Sequence, residues 1–468
     1  MKNNNGLFSK EWWRSLFVPV GGNEPKLLTF YKKDATKSVI SSLLCILGGI
    51  LIGFIFMLIM AAASDEITVA DAFQGLGIIF QGPFASGSMY VNTDFGNMLF
   101  KAVPIIMTGL SVAIAFKTGL FNIGASGQFL MAAMGAMLVA LNIDCTGNPA
   151  AGFFVWLLAV LVGTAFAMIW GAIPGLFRAL FNVNEVIVCI MTNWIAGNLV
   201  SWVFTNTPNL INTSGGKTNF LVTTSTTGTS TPTLGLDKIF KGSMLDMSII
   251  IAIVLAVVVF IVLTRTTFGY ELRACGANRY GAKYAGMSEK RNVILSMAIA
   301  GGLAGLGACF YYLNPGIEFN FKTTYQALPT EGFNGIPVAL LASCNPIAVI
   351  FAGIFLKYIS TGGSNLASAG FNQYLADIII ALIIYFAGFS KLIRDFLTKR
   401  QKKHSKKLEA KVLASIPPVE PKEENDIPPE EVEAAPPEGP PEEEAPIPDK
   451  QPEETQPELP QGDEEEKL

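Results

Sequence analysis

Side chains suited to covalent chemistry are scarce in this chain. Its one histidine, His404, sits in the lysine run KRQKKHSKK, so Ser-His-Asp, Cys-His and histidine-ligated zinc chemistry have no histidine in the body of the protein. The six cysteines (Cys45, Cys145, Cys189, Cys275, Cys309, Cys344) occur singly with no CxxC; they read as small packing residues and not as a disulfide framework. Gly216-Lys217-Thr218 imitates the end of a phosphate-binding loop, but the position of its first glycine holds Ile211, and the Ser/Thr/Gly-rich surroundings indicate a turn. Glycines 301, 302, 305 and 307 do not satisfy GxGxxG; in an apolar run, small residues four apart let helix backbones approach. The expectation is a chain with no catalytic residue, no metal site and no nucleotide site or cofactor of its own.

What remains is a set of neutral hydrogen-bonding groups in apolar surroundings: Asn122, Gln128, Asn193, Asn198 and Asn334, with Trp194 and Trp202 beside them. An amide both donates and accepts without carrying a charge, which suits a path for a neutral, polar solute. Taken singly, each amide has interhelical hydrogen bonding as its plainer role. As a set they favour a polar path. The carboxylates Glu185 and Asp377 stand near span ends, where an interfacial cap is the plainer reading of Asp377.

These groups need elements to hold them. AVILMFWYC make up 51% of the 468 residues and charged residues only 15%, with a mean hydropathy of +0.44, whereas soluble domains carry roughly 25% charge. Residues 417 to 468 hold 19 Asp/Glu, 3 Lys and 14 Pro, which leaves 33 − 3 = 30 Lys/Arg against 37 − 19 = 18 Asp/Glu in the rest. That is the balance of a polytopic membrane protein and not of a nucleic-acid binder. The first apolar run, 38 to 63, is too long for a signal peptide and long enough to cross about 30 Å of hydrocarbon. Later runs fall at 102 to 116, 118 to 143, 151 to 177, 186 to 205, 247 to 264, 292 to 313, 332 to 356 and 378 to 390. Ser343-Cys344-Asn345-Pro346 splits the run at 332 to 356, because proline removes a donor and biases Asn345 away from helix.

The expected fold is therefore an all-α, polytopic bundle of about ten transmembrane segments. Seven Lys/Arg precede the first span, six lie in 265 to 291, and 391 to 411 is densely basic, while 64 to 100 and 206 to 246 are poor in basic residues. Basic loops stay inside, so ten spans place both termini and the 265 to 291 loop in the cytoplasm of a cell-membrane protein. The expected organisation is a cytoplasmic segment 1 to 37, a transmembrane domain 38 to 392, a basic cytoplasmic segment 393 to 416 and an acidic tail 417 to 468. The tail lacks apolar periodicity and reads as disordered and solvated, with a docking arm for a basic partner as the other reading. Lys101 and Lys117 bracket a charge-free run of only 15 residues, roughly 22 Å of helix, short unless both lysines snorkel or the segment is buried.

The loop RTTFGYELRACGANRYGAKYAGMSEKR runs from Arg265 to Arg291. Gly269, Gly276, Gly281 and Gly286 punctuate short helical pieces, between which Phe268, Leu272, Tyr284 and Ala285 form an apolar knob. A connector needing only solubility has no use for such a knob, so docking to a cytoplasmic partner is expected.

Three stretches now stand out in order: Gly119-Leu-Phe-Asn-Ile-Gly-Ala-Ser-Gly-Gln128; Thr266-x-Phe268-Gly269-x-x-Leu272-Arg273-Ala274-x-Gly276-x-Asn278 with Tyr284-Ala-Gly286; and Gly332-Phe-Asn-Gly-Ile-Pro-Val-Ala-Leu-Leu341. Together they resemble the permease subunits of ABC importers for nucleosides and simple sugars, of the branched-chain amino acid/ribose type, over about 38 to 392. The chain departs from that pattern at Ser126, where members commonly carry Glu. The resemblance implies a dimeric permease core with an identical or homologous second permease, a separate cytoplasmic ATPase that uses the ATP, and an extracellular substrate-binding lipoprotein. It implies that Arg265, Phe268, Gly269, Leu272, Arg273, Gly276, Asn278, Tyr284 and Gly286 couple the chain to the ATPase. Nucleoside and sugar both remain open as the solute. An ion-coupled secondary transporter is the alternative, since it too shows ten spans and a broken pair, although coupling ions call for mid-span carboxylates or histidines that this chain lacks.

Overall fold

The structure, a computed structural model, describes residues 34 to 399 apart from 66, 88 to 90, 373, 390, 391 and 397. Most of the expected segment 1 to 37, His404 and the tail 417 to 468 lie outside the described residues.

The apolar runs become helices, as hydrocarbon demands that every backbone group be satisfied within its own segment, and shorter polar pieces between them are helical too. In chain order these are α1 (Asp34–Ala63), α2 (Val69–Gln81), α3 (Val91–Lys117), α4 (Ala125–Asn142), α5 (Pro149–Phe181), α6 (Glu185–Thr205), α7 (Ser248–Arg265), α8 (Thr267–Ala277), α9 (Arg279–Tyr284), α10 (Glu289–Tyr312), α11 (Thr330–Leu341), α12 (Pro346–Ser364) and α13 (Tyr374–Ala387). Among the described residues eight are long and apolar enough to cross a membrane, in the all-α polytopic fold expected. The other two expected segments correspond to the shorter α11 and α13, of 12 and 14 residues, which fall below that length.

The split inside 332 to 356 is where the sequence places it. Ser343 and Cys344 take φ of 50° and 55°, a left-handed pair that reverses the chain. Asn345 then caps α12 by accepting from the amides of Ile347 and Ala348 at 3.0 and 3.4 Å, and Pro346 fills the first helical position, where no donor is needed. Two boundaries differ from expectation. The run at 102 to 116 is only the apolar middle of α3, whose 27 residues span about 40 Å; Asn92, Asp94 and Asn97 concealed its start, and Lys101 lies within the helix, not at its edge. The run at 118 to 143 becomes helical only at Ala125, because Gly119, at φ 73°, breaks the chain after α3.

At the centre, α3 and α4 are 83% buried and α10 is 72% buried, against 33% for α1, α5, α6 and α7 around them. Small residues permit the contact of α10 with its neighbours: a Cβ on Gly301 would lie 3.0 Å from Gly171 Cα, and one on Gly307 would lie 3.0 Å from Met107 Cβ. Close packing is thus the role of the 301 to 307 glycines. α1 and α13 run antiparallel, with Gly49 backed directly on Ile383 and Gly53 on Ile379.

The helix ends sort onto two faces. The start of α1 meets the end of α11 through Ser42, whose hydroxyl donates to the Leu341 carbonyl at 2.7 Å, and the end of α3 meets the 265 to 291 loop. On the opposite face, Cys145 N donates to Thr227 O at 2.7 Å, Phe220 bridges to Asn320, and Lys217 is ion-paired with Glu318. Lys217 and Gly216, at φ 67°, therefore belong to a surface turn. Asp246, on this face, accepts from Ser248 N at 2.9 Å and from Asn314 Nδ2 at 2.8 Å; burial pushes its carboxyl above the usual carboxylate range.

Candidate functional site

The turn between α3 and α4 is where the three stretches singled out in the sequence meet. Asn122 Nδ2 donates to Gln128 Oε1 at 2.8 Å and to Ser111 Oγ at 2.9 Å, and Gln128 Nε2 returns a bond to Asn122 Oδ1 at 3.0 Å. Asn193 of α6 holds the same turn, accepting from Gly127 N at 2.8 Å and donating to Ile123 O at 3.0 Å. From one side α8 presses Gly276 onto it: a Cβ there would lie 2.9 Å from Gly119 N. From the other side comes α11. Ser126 Oγ donates to Pro329 O at 2.8 Å, Gly332 abuts the Ser126 backbone, and Thr108 Oγ1 donates to Glu331 O at 3.0 Å. One continuous packed line therefore joins the basic loop, the α3–α4 turn and the half-helix α11.

The five amides consequently do not form one row. Asn122 and Gln128 are 0% and 1% exposed and bond each other, so in this structure they brace the turn. Asn193 does likewise, with one edge on an apolar recess of about 190 Å3 beside Trp194 and Phe333. Asn198 lies on the exposed face of α6 with Trp194 and Trp202, donating to Trp194 O at 2.9 Å. Asn334 alone of the five lines a cavity with charged side chains in its wall.

That cavity, of about 420 Å3, lies between α3, α11, α12 and α13 and is lined by Thr330, Asn334, Lys357, Ser360 and Asp377 over an apolar wall that includes Pro337, Leu356 and Ile380. Sequence reasoning missed Lys357, which looked like the charge that ends an apolar run. α12 continues seven residues beyond it, to Ser364. The signal was present: buried Ala352, Leu356, Ile359 and Gly363 keep the helical spacing across Lys357.

On the basic face, Thr266 caps α8 by accepting from Gly269 N at 3.1 Å, and Asn278 caps α9 by accepting from Gly281 N at 3.0 Å. Gly269 and Gly276 lie inside α8 and Gly281 inside α9, a correction to their reading as breaks between helices. The first two permit a close approach instead, Gly269 to α7, where a Cβ would lie 2.6 Å from Leu263 Cα. Gly286, at φ 80°, does form a turn. Leu272 is 1% exposed and Phe268 half-buried against the core, so these two anchor the loop to its own chain and are not the exposed knob the sequence suggested. Their period matches a helix packed inward. The outward aromatics are Tyr280 and Tyr284, 79% and 94% exposed, with Arg265 and Arg273 also exposed. Glu271 ties α8 to α10, accepting from Asn292 Nδ2 at 2.9 Å and pairing with Arg291 at 3.3 Å, while Arg279 faces Glu289 at 3.9 Å.

Residues 95–388 match the model of a family described as the permease component of branched-chain amino acid transport systems. The chain is 34% identical over 362 residues to the guanosine ABC transporter permease protein NupP of Bacillus subtilis, covering 76% of this chain and 98% of that one. It is 33% identical to the nucleoside ABC transporter permease protein NupB of Lactococcus lactis (78% and 95% covered) and 32% identical to the glucose ABC transporter permease protein TsgB13 of Haloferax volcanii (67% and 82% covered). No solved structure gives a significant match.

Proposed function

Since the chain belongs to the permease-component family of branched-chain amino acid transport systems, we propose that it is the membrane subunit through which an ABC importer moves a nucleoside into the cell. The observation that carries this reading is the packed line from the basic loop through Gly276 and Gly119 to α11, because a permease driven from outside itself needs a rigid connection between its docking surface and its solute path. The named relatives support nucleoside over sugar, since two of those three act on nucleosides.

By the positive-inside rule the basic face is cytoplasmic, and both termini lie there. An ATPase subunit docks on that face at Tyr280 and Tyr284 and uses the ATP; this chain binds no cofactor. A binding protein delivers solute to the opposite face. A second permease covers the exposed side of α6, where Asn198 puts an amide among Trp194, Ile195 and Trp202, a polar group better satisfied by protein than by lipid. Motion of the loop reaches the solute path through the α3–α4 turn, which Asn122, Gln128 and Asn193 keep stiff. The relatives do not support ion coupling as the energy source.

The test is uptake of labelled guanosine and uridine, beside ribose and glucose, in cells carrying the complete importer. Nucleoside uptake is expected to collapse when ATP is depleted with the proton gradient held, and uptake that follows the gradient would overturn this reading.

A further inference from the structure

Polar groups in the membrane-embedded interior are mostly satisfied by one another, as Asn122, Gln128 and Asn193 are. The cavity beside α11 breaks that pattern. Lys357 and Asp377 are opposite charges lining one space, yet among the described residues neither forms an ion pair or a side-chain hydrogen bond. Lys357 stands 357 − 346 = 11 residues from the start of α12 and 364 − 357 = 7 from its end, or about 16 and 10 Å. A charge at such depth is costly and by default marks a solute path.

An ammonium only donates and a carboxylate only accepts. A solute that satisfies both presents an acceptor and a donor together, and a nucleobase lactam, a ring C=O beside a ring N–H, does so in one rigid plane. Pro337, Leu356 and Ile380 offer an apolar wall to the face of such a ring, and Thr330, Asn334 and Ser360 offer partners to the hydroxyls of its sugar. A simple sugar also donates and accepts, but it leaves the apolar wall uncovered. The volume of about 420 Å3 falls in the range of roughly 300–1,000 Å3 that encloses ligands of this class.

Resting on the nucleoside reading above, we propose that this cavity recognises the base of the passing nucleoside, Lys357 donating to a ring carbonyl oxygen and Asp377 accepting from the adjacent ring N–H. The site selects nucleosides whose base edge carries an acceptor beside a donor, as guanosine, inosine and uridine do, over purine riboside. The ring nitrogens of purine riboside only accept, and their lone pairs repel the Asp377 carboxylate.

The experiment compares uptake of guanosine and purine riboside by the whole importer with Lys357→Met, Lys357→Arg and Asp377→Asn permeases. The binding protein is the same throughout, so a change in the guanosine-to-purine-riboside ratio reports on the permease. Assembly of each variant is checked by co-purification of the ATPase. Asp377 is exposed, so Asp377→Asn leaves packing intact even if Lys357→Met fails to assemble. Lys357→Met and Asp377→Asn are expected to lower that ratio about tenfold or more, the first because a site built to hydrogen-bond loses a partner and the second because the new amide can donate to a bare ring nitrogen, while Lys357→Arg, which keeps the donors, retains most of it. Assembled variants in which both nucleosides fall in parallel, or neither falls, would overturn the proposal and leave the nucleoside reading standing. Absence of nucleoside uptake by the unmodified importer would remove both.

Discussion

Replacing Gly276 with Ala tests the connection between loop and solute path at its narrowest point. The new Cβ would lie 2.9 Å from Gly119 N and 3.0 Å from Lys117 C, and closer still to the Lys117 carbonyl oxygen. Ordinary contact begins near 3.4 Å, so α8 must lift by at least about half an ångström or the turn must yield. The turn resists, because its obstructing atoms are backbone and Asn122, Gln128 and Asn193 hold it from behind. Overpacking of this kind costs about 1–3 kcal/mol, which moves the seated-to-unseated equilibrium of the loop roughly 5- to 150-fold. Tyr280 and Tyr284 remain outward, so the ATPase should still co-purify. The assay is nucleoside moved per ATP hydrolysed in the reconstituted importer, expected to fall severalfold in Gly276→Ala. Gly281→Ala is the control, since its Cβ would meet only the Asn278 side chain, at 3.3 Å and beyond. A Gly276→Ala importer with unaltered stoichiometry would refute the idea that force passes through this contact.

Tyr284→Ala and Leu272→Ala should separate docking from seating. The first removes a ring that is 94% exposed and should weaken ATPase co-purification by about 2 kcal/mol, a usual interface hot spot, with the melting temperature of the isolated permease unchanged; the second empties a buried site and should lower that temperature, by about 2–5 kcal/mol of stability. Equal effects of both on melting would return Tyr284 to the role of a packing residue. A reporter active only outside the cell should be active when inserted in 206 to 246 and silent when fused after Leu413, and activity of the second fusion would reject the ten-segment topology.

Much of this architecture was legible in one dimension. Crossing a membrane depends on apolar length, a sum along the chain that needs no knowledge of contacts. The break at 343 to 346 was equally local, because proline and an Asn cap act on their immediate neighbours. The small-residue run 301 to 307 announced close packing, though not that Gly171 and Met107 were its partners.

The assignment of individual polar groups was decided elsewhere. Asn193 reaches the α3–α4 turn across 70 residues of sequence and Ser126 reaches Pro329 across 203, so only the packed bundle settles whether an amide braces a turn or faces a cavity. The apolar period of Phe268 and Leu272 was visible in the sequence, but which body it packed on was not: the chain itself occupies that face and leaves Tyr280 and Tyr284 outward. Lys357 shows the same limit from the other side. A charge at the end of an apolar run normally marks the water boundary, because isolated ions are costly in hydrocarbon. It belongs inside a span here because α3, α11 and α13 converge on a cavity beside it that other polar groups share, and composition alone carries no trace of that convergence.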